Sequence, residues 1–434
     1  MKRSAAGRRN DRSVLRGRLR TASSILAAWV ILVPGFAHAV PGNLDPTFGD
    51  SGWAITEVSG YVQTDDAVLQ PDGRIVVIAS TVGNAMAAWR VQSNGDPDPS
   101  FGGDGLATIA FERKSGAWAA ALQPDGKLVL VGYAGGRVAV ARLMPNGAPD
   151  AGFGVGGSTT IRLEDKAAGD DVAIASDGGI VVGVSFVEGR PPYRYGIGTA
   201  ALRLDPQGTL DATFGSQGVV SFGDRRLGDL ALDDQDSIVV ALLGPIYRFD
   251  LPAFFVARLD ADGMADPTFG GDGVRRYNVK HLNEPSHVVI DSEGRILLAV
   301  GGYTANCYAG RGGVVRLTSD GALDGTFSGD GVALRTCMLV QRVAVADDGR
   351  ILVGGSIGGA GAGESTPTLS RLEPTGQRDI SFGDAGTVET PPPGWQDLST
   401  TRDLLIQQDG RIVLIAGGFS TLTDGFAVGR FLAT

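Results

Sequence analysis

Apolar residues in this chain come in short runs, cut at close intervals by Gly, Pro, Asn and Asp. Trp118 to Gln123, Lys127 to Tyr133 and Arg137 to Met144 are aliphatic or β-branched, and Pro124-Asp125-Gly126, Gly135-Gly136 and Pro145-Asn146-Gly147 lie at or between their ends. Gly, Asn and Asp tolerate the positive φ of tight hairpin turns, so each break reads as a turn between antiparallel strands. Thr159 to Leu163, after the Phe153-Gly154 corner, predicts a fourth strand. Outside the first 40 residues no run has the length and period of a helix.

This four-strand unit returns seven times. An Asp-x-x-Phe element recurs at Phe48, Phe101, Phe153, Phe214, Phe269, Phe327 and Phe382, spaced 52 to 61 residues apart. A turn element followed by an aliphatic run recurs at Asp72-Gly73, Asp125-Gly126, Asp177-Gly178, Gln235-Asp236, Glu293-Gly294, Asp348-Gly349 and Asp409-Gly410. An Arg before an apolar residue recurs at Arg90, Arg142, Arg203, Arg258, Arg316, Arg371 and Arg430. Four short antiparallel strands repeated radially predict an all-β fold, a seven-bladed β-propeller; β-solenoid repeats are usually shorter. The chain opens with a fourth-strand element, Asn43 to Val58, and closes after a third-strand element, Gly425 to Leu432, so the two fragments should complete one blade. Pairing of the N- and C-terminal strands would close the ring and leave it without an open sheet edge.

The Leu-Asp-x-Thr-Phe-Gly pattern at Leu44 to Gly49 and the Gln-Pro-Asp-Gly-Arg-Ile-Val-Val pattern at Gln70 to Val77 resemble the delta-60 repeat family. The resemblance covers nearly all of residues 43 to 434 and implies a propeller with very little stated chemistry. Blade four departs most, with Asp233-Asp234-Gln235-Asp236-Ser237 at the turn, which leaves its turn type open.

Residues 1 to 39 carry eight Lys or Arg before position 21, then the apolar run Ile25 to Phe36 and Ala37-His38-Ala39. That order predicts a secretory signal peptide cleaved after Ala39, with residues 40 to 434 forming one propeller domain, secreted or periplasmic. Eight of the 38 basic and one of the 48 acidic residues fall in this segment, so the remainder has a formal charge of −17. An acidic surface of that size argues against nucleic acid and anionic membrane as partners, and no apolar run after residue 40 is long enough for a spanning helix. The chain is expected to be a monomer.

Length variation concentrates in the loops between second and third strands, at Val187 to Gly196, Gly244 to Pro252, Gly301 to Gly313 and Gly358 to Pro367. Variable loops on a rigid scaffold are where binding residues collect. Tyr193 and Tyr195 in blade three, and Tyr247, Phe249, Phe254 and Phe255 in or beside the loop of blade four, would form an aromatic patch suited to a sugar ring or an apolar peptide. Aligning the innermost strands on their turns brings Asp66, Ala119, Asp171, Asp229, His287, Arg342 and Asp403 to one equivalent position near the channel mouth. The four carboxylates, Asp66, Asp171, Asp229 and Asp403, are candidate ligands for a divalent cation such as calcium, although no cofactor is required; they also have a structural reading, as acceptors for neighbouring backbone amides. The Asp260-Ala261-Asp262-Gly263 stretch lacks the downstream Glu of a calcium loop and reads as a hairpin turn. Cys307 and Cys337, the chain's two cysteines, are expected to form a disulfide in an oxidising compartment.

No Walker, His-Glu-x-x-His or paired-Cys zinc pattern is present. The first expectation is therefore a non-catalytic exported propeller that binds a glycan or an extracellular or envelope protein on its variable face. A propeller-type polysaccharide lyase or glycoside hydrolase with carboxylates at the channel mouth is the second, and a structural spacer the third.

Overall fold

The computed structural model describes residues 40–58, 62–81, 85–163, 165–188, 195–244, 253–302, 311–358, 365–395, 399–419 and 424–433. Within them lie seven antiparallel sheets of four strands each. Blade one contains Val62–Leu69, Ile75–Thr81, Ala85–Val91 and Leu106–Ala110, hydrogen-bonded in that order, and blades two to six repeat the meander. Blade seven takes three strands from the C-terminus, Ser399–Ile406, Ile412–Phe419 and Asp424–Phe431, and its fourth, Trp53–Val58, from the N-terminus. Trp53 pairs with Gly429 and Val58 with Asp424, which is the expected closure.

The first strands of successive blades touch one another around a closed circle, so they form the innermost layer. Seven apolar clusters hold the blades together, and each is shared by two neighbouring sheets. Because every sheet is covered on both faces, strands such as Leu128–Ala134 read as continuous apolar runs instead of alternating ones.

The recurring arginine is a staple between blades. Its Nε donates to the Asp of Asp-x-x-Phe eight residues on, at 2.8 Å in Arg90–Asp98 and Arg142–Asp150, and at 2.9 Å in Arg430–Asp45 across the closure. The guanidinium lies over the Phe of the same element, 4.7 Å from the Phe153 ring for Arg142 and 4.6 Å from Phe48 for Arg430. One terminal nitrogen then donates to a backbone carbonyl of the next blade: Arg90 to Pro145, Arg142 to Pro206, Arg371 to Ala433 and Arg430 to Ser93. In blade three, Arg203 turns toward Asp177 and stands 3.8 Å from Asp211. The planar fork of Arg suits this triple duty, which a Lys point charge cannot perform.

The turn of blade four proves regular. Asp236 adopts φ 60 where its counterparts are glycines such as Gly73 at φ 82, and its N–H still donates to the Asp233 carbonyl at 3.0 Å. Asp is among the few residues that tolerate this left-handed conformation. Asp260 to Gly263 forms a hairpin turn, with the Gly263 N–H on the Asp260 carbonyl at 3.0 Å.

Candidate functional site

Each innermost strand contains a β-bulge at the same place. The register slips between Thr64 and Asp66, Ala117 and Ala119, Gly169 and Asp171, Leu227 and Asp229, Pro285 and His287, Val340 and Arg342, and Thr401 and Asp403. The seven aligned positions all lie one residue past this bulge. They sit in mid-strand, because the strands begin three or four residues earlier than the polar residues suggest, as at Val62 and Ala167. A bulge breaks the two-residue alternation and leaves backbone groups off the ladder.

Side chains at the aligned positions cap amides freed near the bulge, each reaching into the next blade. Asp403 accepts from Ala67 N–H at 3.1 Å, Asp66 from Ala120 at 2.8 Å, Asp171 from Leu230 at 2.7 Å and Asp229 from Val288 at 2.6 Å. His287 Nδ1 accepts from Val343 N–H at 3.4 Å, which places its proton on Nε2, 3.9 Å from Asp229 Oδ2. Two blades are preceded by a residue that cannot accept, Ala119 and Arg342. In both, the aspartate that follows caps its own strand: Asp171 takes Val172 N–H at 2.7 Å and Asp403 takes Leu404 N–H at 2.8 Å. All seven amides are thereby satisfied, and the structural reading of the aspartates accounts for their positions.

The electrostatics follow from this packing. Burial raises Asp66 well above the usual carboxylate range, and the neighbouring Asp403 charge adds to it. Burial likewise raises Asp229, helped by a charge and a side-chain hydrogen bond from Asp171. Asp403 is raised by burial, less so because Arg342 stands 3.4 Å away and opposes the shift. Arg342 is itself raised: burial works against its charge, but Asp403, Asp229, Asp66 and Asp171 outweigh that cost. His287 is pushed down to about 3 by burial and by the Arg342 charge, so it is neutral at physiological pH. The side chains of Asp229, His287 and Arg342 keep 15%, 23% and 21% of their exposure.

The cavity has a volume of about 320 Å³ and lies among the bulges of blades one to six, with Asp65, Trp118, Asp170, Ser286, His287 and Arg342 on its wall. Its lining comes from the middle of the innermost strands, as with the fourth and fifth residues of Val62–Leu69, Ser115–Leu122 and Ala167–Ile174.

Among the described residues no three His, Cys, Asp or Glu side chains come together as a metal-binding set, and the four ring aspartates have oxygens engaged by backbone amides. The aromatic patch is only partly visible. Phe254 is fully buried and stacks on Tyr277 at 5.1 Å, in the blade interior, whereas Phe255 is partly buried with the Arg225 guanidinium 4.5 Å over its ring. Tyr195 pairs with Glu188 through its backbone. Tyr193, Tyr247, Phe249 and Cys307 lie outside the described residues. Sequence reasoning missed Trp118, Asp65 and Asp170 as cavity residues; adjacent polar pairs such as Asp65-Asp66 and Asp170-Asp171 inside a strand were the available signal.

A seven-bladed β-propeller with a polar cavity lined by its innermost strands is thus the class of protein. Residues 70–101, 123–153, 249–269, 293–327 and 346–382 match the family model described as a domain of unknown function (DUF5122) beta-propeller, and the chain is a β-propeller repeat protein similar to that family. No curated protein matches the sequence. Among solved structures, a protein from Lactobacillus plantarum is 10% identical with a TM-score of 0.50, the match covering 86% of this chain and 97% of that one. A protein of unknown function from Dyadobacter fermentans is 13% identical, TM-score 0.43, with 88% and 100% covered. The polysaccharide lyase Uly1 is 12% identical, TM-score 0.43, with 93% and 94% covered. Identities this low speak to the fold alone.

Proposed function

We propose that this protein is an exported, non-catalytic binding propeller that takes a glycan or a protein partner on its variable-loop face, with the ligand seated at the channel mouth. The observation that carries the reading is the cavity of about 320 Å³ walled by Trp118, His287, Arg342 and aspartates. Concave sites with an aromatic wall and a few convergent polar groups are where ligands bind. Hydrolysis or elimination needs an acid and a base free to exchange protons with substrate. Here His287 and the ring aspartates have backbone amides to hold in place, which favours binding over turnover. Export rests on the basic and apolar order of residues 1 to 39, and supports a Cys307–Cys337 disulfide. The proposed bridge closes about 30 residues and contributes on the order of 3 kcal/mol; mass spectrometry of the unreduced mature protein should show one bridge, and two free thiols would end that part of the proposal.

Glycan-array binding together with turnover assays on the same polysaccharides tests the main reading. Binding without product is expected. Product release that disappears in Asp171→Asn would replace the reading with the lyase or hydrolase alternative.

A further inference from the structure

Blade two breaks the circuit of caps. The other six blades present a side chain that reaches a neighbour, whereas blade two has Ala119, 4% exposed and on the cavity wall between Asp66 and Asp171. The residue displaced by its bulge is Trp118, whose ring lies 5.3 Å from that of Tyr133 at an angle of 47° and is held at the cavity edge by that contact. Asp65 and Asp170, the bulge residues of the flanking blades, line the same space. Carboxylates alone would define nothing, since the ring oxygens already serve the backbone. What singles out this place is the cavity beside Trp118, on the side of the ring where the aligned residue that cannot accept is the small, uncharged Ala119 and not the cationic Arg342.

Building on the binding function above, we propose that the gap at Ala119 takes a primary ammonium group, with its attached carbons against Trp118. A carboxylate oxygen that accepts one backbone N–H keeps a second lone pair, and an ammonium brings three donors and no acceptor. The face of an indole attracts a cation, more strongly once both are desolvated. Arg342, across the ring in blade six, repels a cation from its own side and leaves blade two as the favourable one. A cavity of about 320 Å³ admits one lysine side chain or one amino-sugar residue. The shared chemistry is the ammonium; its source is either a partner protein or a glycan.

Calorimetry on the mature chain at about 0.15 M salt, where exposed charges are screened beyond roughly 8 Å, separates the possibilities. The probes are Nα-acetyl-lysine amide and glucosamine, each beside its neutral twin, Nα,Nε-diacetyl-lysine amide and N-acetylglucosamine. At least one cationic probe should bind and its twin should not, and the tighter of the two cations names the source. Ala119→Leu fills the gap without changing any charge and should weaken binding by at least about tenfold, as should Trp118→Ala, the loss expected when a central contact is removed; thermal melts confirm that each variant folds. Unchanged affinity in folded Ala119→Leu would overturn the proposal, because the cation would then be held by the general negative surface. N-acetylglucosamine binding as well as glucosamine, and lost in Ala119→Leu, would overturn the ammonium class while leaving the binding propeller intact. If none of the four probes binds, the ammonium proposal falls, and the glycan array decides the wider reading separately.

Discussion

The seven aligned residues act through their backbone partners, and their protonation is the sharpest consequence. His287 should stay neutral down to about 3, which NMR of the imidazole carbons checks directly; a midpoint near the ordinary 6.5 would contradict the enclosure described for it. Asp66 and Asp229 have folded pKa values above their unfolded ones. The folded state therefore holds protons that the unfolded chain has released, and stability falls as pH rises from about 4 toward the raised values. His287 has the opposite sign, since between about 3 and 6.5 the unfolded chain binds a proton that the folded state does not, so its contribution rises with pH through that window. The double variant Asp66→Asn, Asp229→Asn keeps an acceptor oxygen for each capped amide and removes the first effect. Its melting temperature should exceed that of the parent increasingly above pH 4, and parallel curves from pH 4 to 8 would show that the two carboxyls titrate normally. The alignment of these positions was legible in the sequence because the turns fix the register. Their role was not, because nothing in a single chain marks which amides a bulge leaves unpaired.

At the level of the repeat, the Arg and the Asp-x-x-Phe element form one mechanical unit. Arg142 and Asp150 keep side-chain exposures of 8% and 11%. Removing one member strands a buried charge, so Arg142→Leu should cost about 3–5 kcal/mol in denaturant unfolding. Arg203→Leu should cost less, because that guanidinium stands 3.8 Å from Asp211 and already faces the more exposed Asp177; equal losses would contradict the staple. The aspartates of the unit, Asp45, Asp98, Asp150, Asp211, Asp266, Asp324 and Asp379, all titrate below the ordinary value. Burial alone would raise most of them, but donors such as the Gly152 N–H and the Arg142 guanidinium prevail at Asp150. Their stabilisation is present above about 4 and is lost as pH falls through the lowered values. The recurrence of Arg and Asp-x-x-Phe was plain from spacing alone. Their partnership was hidden, because the arginine also reaches a carbonyl 55 to 64 residues away in the chain.

For the whole molecule the phase of the repeat decides the architecture. Seven matching units, a leading fourth strand and a missing last one were enough to place Trp53–Val58 beside Asp424–Phe431. The cavity was less legible, since its wall includes small residues such as Ala119 and bulge residues such as Trp118 that join it where the strand slips. Deleting Asn43 to Val58 should unfold the ring, since blade seven would lose its fourth strand together with Phe48, which is fully buried. A truncated protein melting cooperatively at the parent temperature would contradict the closure.

Closure and capping meet at Asp403, which belongs to the last blade and accepts the Ala67 N–H of the first at 3.1 Å. Hydrogen–deuterium exchange of the peptide Val62 to Leu69 in Asp403→Ala and Asp403→Asn therefore tests whether side-chain caps join the blades around a closed ring. The account predicts faster exchange of that peptide in Asp403→Ala and intermediate protection in Asp403→Asn, whose single amide oxygen can accept from only one of the two N–H groups, Ala67 or Leu404, that the carboxylate serves. Unchanged protection in Asp403→Ala would contradict it.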